Sequence, residues 1–141
     1  MFKNIVVPID LQDRKGTERT LTAVDKYFGN DVQICLISVL PGYQMSVVAS
    51  YFPKDAVTDA LGAMEGELSA LGRRCLKDKT VTVKASEGNT YKGIVKHAES
   101  ISADLIVINA QKHGRVEKMV LGSVTAKVTE SASCSVLVLK G

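Results

Sequence analysis

The residues best suited to binding an anion lie near the end of the chain, where Gly122 and Ser123 open a segment with helical spacing. The first turn of a helix presents unpaired backbone N–H groups and the positive end of the helix dipole, and both attract negative charge. Thr125 adds a hydroxyl in that turn, and the loop at 112–118 adds side-chain cations. These residues predict a phosphate site. The alternatives are that Ser123 only caps the helix and that the basic loop is only solvated.

A carboxylate follows the first apolar run, where Pro8 precedes Asp10. At the end of a strand that faces a ligand, Asp10 could accept hydrogen bonds from ribose hydroxyls. The alternative is a turn or helix-capping aspartate, because Asp is common in such loops.

Several familiar signatures are missing from the sequence. It has no Gly-x-Gly-x-x-Gly after the first run, no Gly-x-x-x-x-Gly-Lys-Ser/Thr and no Gly-x-Ser-x-Gly. His97 and His113 have no ligand-spaced partner, so we expect no metal site, and we expect His97 on the surface of a helix. No positioned catalytic base is evident, and we expect no dedicated catalytic activity.

Length and composition favour one packed domain spanning residues 1–141, with 45% hydrophobic and 23% charged residues. The net charge of +3 does not indicate a nucleic-acid partner. The apolar runs are too short to span a bilayer, and the N-terminus enters a strand directly, so we expect a soluble cytoplasmic protein without membrane contact. Cys35, Cys75 and Cys134 have no metal-like spacing and are expected to be reduced thiols.

Short apolar runs alternate with helical segments along the whole chain. The runs at 5–7, 32–39, 81–85, 105–108 and 136–139 predict strands, and the segments at 17–28, 53–75, 89–101 and 122–132 predict helices, the third capped by Asn89. This alternation predicts an α/β fold with an open, doubly wound, five-stranded parallel sheet covered by helices on both faces. Ligands bind such sheets beyond the carboxyl ends of the strands, where the strand order reverses.

The two ends of the chain resemble the universal stress protein family. The sequence Ile5-Val6-Val7-Pro8-Ile9-Asp10 resembles that family's first strand and its aspartate. The segments 121–124 and 133–138 resemble its closing helix and strand, and the similarity spans the whole chain. The resemblance implies a Rossmann-like fold of the adenine nucleotide alpha hydrolase type.

Nucleotide-binding members of that family carry the pattern Gly-x2-Gly-x9-Gly-Ser/Thr near the fourth helix. Gly122 and Ser123 match its end, whereas Asn109 and Lys112 stand at the first two glycine positions. A shorter loop would instead align Gly114 with the second glycine. Asn tolerates unusual backbone angles, and Lys brings a cation, so we expect adenine nucleotide binding to be retained.

The resemblance implies ATP as the ligand, with or without Mg²⁺, bound as a ligand or signal in the stress response. Asp10 would hold the ribose, Val39 would pair its backbone with adenine, and the start of the fourth helix would cradle the phosphates. The implied binding residues are Pro8, Asp10, Val39, Asn109, Lys112, Gly122, Ser123, Val124 and Thr125.

The family also implies a homodimer formed through the last strand, at 136–139. Two alternatives remain: a homodimeric interaction module of the stress response that binds no nucleotide, and an enzyme that processes nucleotides. Slow ATP hydrolysis is compatible with the nucleotide-binding function itself.

Overall fold

The computed structural model describes residues 1–42, 54–110 and 121–140. Its strands are β1 (Asn4–Pro8), β2 (Gln33–Pro41), β3 (Thr80–Gly88), β4 (Leu105–Asn109) and β5 (Ser135–Leu139). Its helices are α1 (Arg14–Tyr27), α2 (Lys54–Cys75), α3 (Thr90–Ser100) and α4 (Ser123–Ser131). Each predicted strand and helix falls within or overlaps one of these elements.

The five strands form one parallel sheet in the order β3-β2-β1-β4-β5. The chain moves outward from β1 through β2 to β3, and then returns to the other side of β1 to form β4 and β5. The strand order therefore reverses between β1 and β4. The prediction of a doubly wound α/β sheet is confirmed.

Consecutive residues of the central strands point to opposite faces of the sheet. Ile5 and Val7 of β1 belong to the core cluster that includes Leu21 of α1 and Leu68 of α2. Val6 belongs to a second cluster with residues of α3 and α4. Helices cover both faces, which explains why the inner strands β1, β2 and β4 are continuous apolar runs, whereas the edge strands β3 and β5 alternate in burial.

The residue at which each helix begins determines where the loop after the preceding strand ends. α1 begins at Arg14, earlier than predicted, because the side chain of Asp13 caps it. Asn89 caps α3 through a hydrogen bond from the N–H of Lys92 at 3.2 Å, as the sequence predicts. α4 follows Gly122.

The three cysteines are free thiols, as their spacing predicts. In the described residues, none of the helices is both long and apolar enough to cross a membrane.

Candidate functional site

A cavity of about 750 Å³ opens at the carboxyl ends of β1, β2 and β4, where the strand order reverses. The starts of α1 and α4 and one face of α2 complete its wall. Eight of the nine residues predicted to bind a ligand line this cavity: Pro8, Asp10, Val39, Asn109, Gly122, Ser123, Val124 and Thr125. The ninth, Lys112, lies outside the described residues, together with the rest of the basic loop at 112–118. The structure thus brings three separate segments to one place, and ligand binding by these residues stays a prediction.

The loop after β1 is a compact turn around Asp10. The carbonyl of Asp10 accepts hydrogen bonds from the N–H of Asp13 at 3.0 Å and from the hydroxyl of Thr17 at 2.9 Å. Its Oδ1 accepts from the N–H of Gln12 at 3.0 Å. Asp10 does not cap α1, because Asp13 does. Its carboxylate is exposed and keeps acceptor capacity toward the cavity.

The start of α1 is crowded by polar side chains. Oδ1 of Asp13 accepts a hydrogen bond from the N–H of Gly16 at 3.0 Å. A Cβ atom on Gly16 would lie 2.2 Å from Oδ2 of Asp13 and 2.9 Å from Nδ2 of Asn109. Asp13, Gly16 and Asn109 all line the cavity. The N-terminus of α1 is therefore closed by side chains of the protein itself.

The start of α4 is open by comparison. Gly122 is the N-cap residue, and within the described part of the chain no side-chain hydrogen bond caps this helix, so the interpretation of Ser123 as a capping serine is wrong. Ser123 is the first helical residue, and it is exposed at the cavity. The carbonyl of Gly122 accepts the N–H of Ala126 at 3.0 Å, which leaves the N–H groups of the first turn without intrahelical partners.

The sequence predicts that Thr125 offers its hydroxyl to a bound anion, but the structure uses this hydroxyl in another contact. Its side chain is fully buried, and its hydroxyl donates to the carbonyl of Asn109 at 3.0 Å. The hydroxyl proton is used to join α4 to β4, so a ligand at this turn would meet the backbone N–H of Thr125 rather than its hydroxyl.

The end of β2 forms an apolar wall with a polar backbone edge. The N–H of Ile9 donates to the carbonyl of Ile37 at 2.8 Å, so the backbone groups of Ile37 face β1. Alternate residues of a strand bond to the same neighbour, and those of Val39 therefore face the same side, beyond the end of β1. Val39 offers an N–H and a C=O there, beside the apolar side chains of Leu40 and Met64.

The charges on the described wall of the cavity are negative. Asp10, Asp13 and Glu67 line it, and within residues 1–42, 54–110 and 121–140 the lining includes no Lys, Arg or His. The carboxylates come from the β1–α1 turn and from α2. The α4 side, with its free N–H groups, is the electropositive part of the described wall.

His97 is half-buried rather than on the helix surface, and its Nε2 lies 3.4 Å from Sγ of buried Cys35. Burial, and then the charge of Lys84, lower the pKa of His97 below its ordinary 6.5. Burial raises the pKa of the Cys35 thiol. Both shifts favour the neutral forms, so the pair is a hydrogen bond that anchors α3 to β2. Among the described residues, no group of three or more His, Cys, Asp or Glu side chains could hold a metal ion.

Sequence reasoning missed several residues of the wall. Asp13 and Gly16 lay in an expected loop, although an Asp just before a helical segment is a typical N-cap residue. Met64 and Glu67 lie on α2, and no residue of that helix was predicted to line the site. The pattern of one helix does not reveal which of its residues face a cavity.

A parallel sheet whose strand order reverses at a cavity defines a doubly wound α/β protein. Residues 1–140 match the family model of the universal stress protein family, and the chain belongs to that family. Universal stress protein Sll1654 of Synechocystis sp. is 30% identical over 143 residues, which cover 99% of this chain and 86% of the relative. Universal stress protein MJ0531 of Methanocaldococcus jannaschii is 25% identical and aligns with 99% of this chain and 83% of its own length.

Solved structures support the fold. Hypothetical protein MJ0577 matches with a TM-score of 0.82 at 22% identity, over 100% of this chain and 97% of that chain. A universal stress protein from Archaeoglobus fulgidus in complex with dAMP matches with a TM-score of 0.67 at 20% identity, over 97% of both chains. A universal stress protein in complex with cAMP matches with a TM-score of 0.64 at 16% identity, over 99% of this chain and 97% of that chain.

Proposed function

We propose that this universal stress protein binds an adenine nucleotide, ATP, in the cavity at the sheet's switch point and acts as a nucleotide-dependent, cytoplasmic stress-response protein. The observation that supports this most is the convergence of eight predicted residues from β1, β2 and the β4–α4 region on one cavity. Its volume of about 750 Å³ lies within the range typical of small-molecule sites.

Three parts of the wall match the three parts of the ligand. Adenine has a flat apolar face and a polar edge, and the apolar end of β2 with the free backbone of Val39 offers a complement to both. Ribose hydroxyls are donors, and the exposed carboxylate of Asp10 is an acceptor. Phosphates are anionic, and the uncapped start of α4 at Ser123 offers N–H donors and a favourable dipole.

The basic loop at 112–118 lies between β4 and α4 in the chain, and residues of both elements line the cavity. Lys112 would add a cation there. Solved members of the family in complex with dAMP and with cAMP support an adenine nucleotide as the ligand class. ATP would bind with or without Mg²⁺, and we propose no dedicated catalytic activity beyond slow hydrolysis.

The edge of the sheet supports a homodimer formed through β5. Among the strands that the structure describes, β5 pairs only with β4, and Leu137 is 38% exposed on it. An apolar edge strand tends to pair with another strand, and a second copy of β5 would cover it. The same observation favours the second candidate, a homodimeric interaction module that has lost nucleotide.

Two measurements on the purified protein distinguish these candidates. Denaturation and chromatography would identify any nucleotide that was carried through purification, and calorimetric titration with ATP and Mg²⁺ would measure binding to the emptied protein. Released adenine nucleotide, or saturable heat with ATP, supports the nucleotide-binding function. An empty protein that gives no heat with ATP, but remains a dimer in sedimentation, supports the interaction module instead.

A further inference from the structure

Gly16, in the first turn of α1, makes room for two polar side chains of the cavity wall. A Cβ at this position would be 2.2 Å from Oδ2 of Asp13 and 2.9 Å from Nδ2 of Asn109, and real Cβ atoms essentially never come so close to other atoms. Gly62 and Gly66 of α2, by contrast, have nothing within 4 Å of the same position. A glycine at position 16 is thus what allows Asp13 and Asn109 to lie together against α1.

Hydrogen bonds fix the backbone at Asn109 and at the residue that follows it. Its carbonyl accepts the hydroxyl of Thr125 at 3.0 Å, and the following N–H, of Ala110, donates to the carbonyl of Leu139 at 2.8 Å. The carboxamide therefore projects from a fixed point at the end of β4 toward α1. In the described part of the chain, no hydrogen bond uses its Oδ1 or Nδ2, or Oδ2 of Asp13.

The chemistry of this pair suits hydroxyl groups better than phosphate. A carboxylate oxygen accepts a hydrogen bond, and a carboxamide both donates and accepts, so together they match groups that do both. A vicinal diol is such a group. A phosphate at the same place would meet the negative charges of Asp13 and Asp10. Across the cavity, no carboxylate of the described residues caps the start of α4.

We propose that Asn109 is a specificity-determining residue that, with Asp13, recognises the 2′,3′-diol of the bound nucleotide's ribose. This inference rests on the proposed nucleotide-binding function. In the glycine pattern that this chain resembles, position 109 has no side chain to offer. The carboxamide of Asn109 and the space left by Gly16 therefore add a contact that a glycine at 109 could not make.

The test compares ATP with 2′,3′-dideoxy-ATP by calorimetric titration of the full chain and of Asn109→Ala. The intact protein should bind ATP more tightly than the dideoxy analogue. Asn109→Ala should weaken ATP binding about three- to tenfold, the range of one or two hydrogen bonds, and leave binding of the analogue unchanged. Asn30→Ala, an exposed asparagine that does not line the cavity, is the matched control and should change neither affinity.

The outcomes separate this inference from the function on which it rests. If the intact protein binds neither compound, both the nucleotide function and the role of Asn109 are wrong. If it binds ATP and the analogue equally, or if Asn109→Ala weakens both to the same extent, nucleotide binding stands and the role of Asn109 in recognising the diol is wrong. A thermal melt of each variant checks that the fold is intact.

Discussion

The two helices that begin at the cavity, α1 and α4, treat their first N–H groups in opposite ways. Asp13 closes the start of α1 by accepting the N–H of Gly16 at 3.0 Å. The start of α4 follows Gly122 and has no side-chain cap. Both helices direct the positive end of their dipole toward the same cavity, so the difference lies in the side chains.

This difference explains how one cavity can present two kinds of surface. A helix start that carries its own carboxylate repels a further anion and presents acceptors, whereas an uncapped start attracts an anion. The α1 side is therefore suited to hydroxyl groups and the α4 side to phosphates. The glycines at the two helix starts have different effects. Gly16 makes room for side chains at the start of α1, and Gly122 places no side chain over the start of α4.

The largest expected effect comes from covering the start of α4. The double variant Gly122→Val with Ser123→Ala adds bulk at the open N-cap and removes the exposed hydroxyl. We expect ATP affinity to fall about ten- to hundredfold, because several hydrogen bonds to the phosphates would be lost together. Calorimetric titration measures this fall, and circular dichroism checks the fold.

Ser131→Ala, an exposed change at the other end of α4, is the control and should leave ATP affinity unchanged. Unchanged affinity in the double variant itself would show that α4 does not hold the phosphates, and the contrast between the two helix starts would then have no functional meaning.

A second variant disturbs the closed start of α1. Gly16→Ala introduces a Cβ that must displace the capping carboxylate of Asp13, and we expect a loss of about 1–2 kcal/mol in the free energy of unfolding. Gly66→Ala in the open part of α2 should instead stabilise the protein by about 0.5–1 kcal/mol. Urea unfolding of both variants gives the comparison, and equal effects would mean that the start of α1 is not crowded.

The cap itself can be removed without adding bulk. Asp13→Ala should cost about 1 kcal/mol and lower the Tm by about 3–5 °C, whereas Asp13→Ser keeps a capping oxygen and should retain most of the stability. Thermal melts without ligand measure both. A Tm for Asp13→Ala equal to that of the unchanged protein would remove the evidence that α1 is closed by its own side chain.

The smallest expected effect is the pH dependence of stability that comes from His97. It sets the pH range in which the two helix starts can be compared. Burial and Lys84 lower the pKa of His97, so the folded chain binds that proton more weakly than the unfolded chain does. The stability from this histidine is present above pH 6.5 and is lost as the pH falls through the lowered folded-state pKa.

Thermal melts at pH 7.5 and 5.5 measure this loss in the intact protein and in His97→Gln. The Tm of the intact protein should fall further than that of the variant, and because His97 is partly exposed we expect a difference of only about 1–2 °C. The comparison between the two proteins cancels the effect of pH on the groups that both of them share. An identical fall in both proteins would contradict the lowered pKa.

The fold could be predicted from sequence because its signals are local. Buried parallel strands require continuous apolar runs, and the runs at 32–39 and 105–108 have that form. Asn89 was also predictable, since a cap depends only on residues a turn away. The doubly wound arrangement followed from general rules of handedness and connection, whereas the order β3-β2-β1-β4-β5 was not predicted.

The sequence could predict which residues form the candidate site, but it could not predict what each of their side chains contacts. The sequence indicated which residues lie at strand ends, and eight of them line the cavity. It did not indicate that Thr125 donates its hydroxyl to Asn109, or that Gly16 lies against the carboxamide of that residue. Those contacts join residues from different elements, so they cannot be predicted from a local sequence pattern. The contact between His97 and Cys35 could not be predicted for the same reason.

The most direct test is a titration of the ¹⁵N-labelled protein with ATP and Mg²⁺, observed through its backbone amide resonances. The amides of Ser123, Val124 and Thr125 should show the largest shifts, as groups that donate to phosphate, while those of Arg14 and Lys15 in α1 should shift little. Largest shifts at the start of α1, or no saturable shift at the start of α4, would contradict the assignment of the phosphate site to α4.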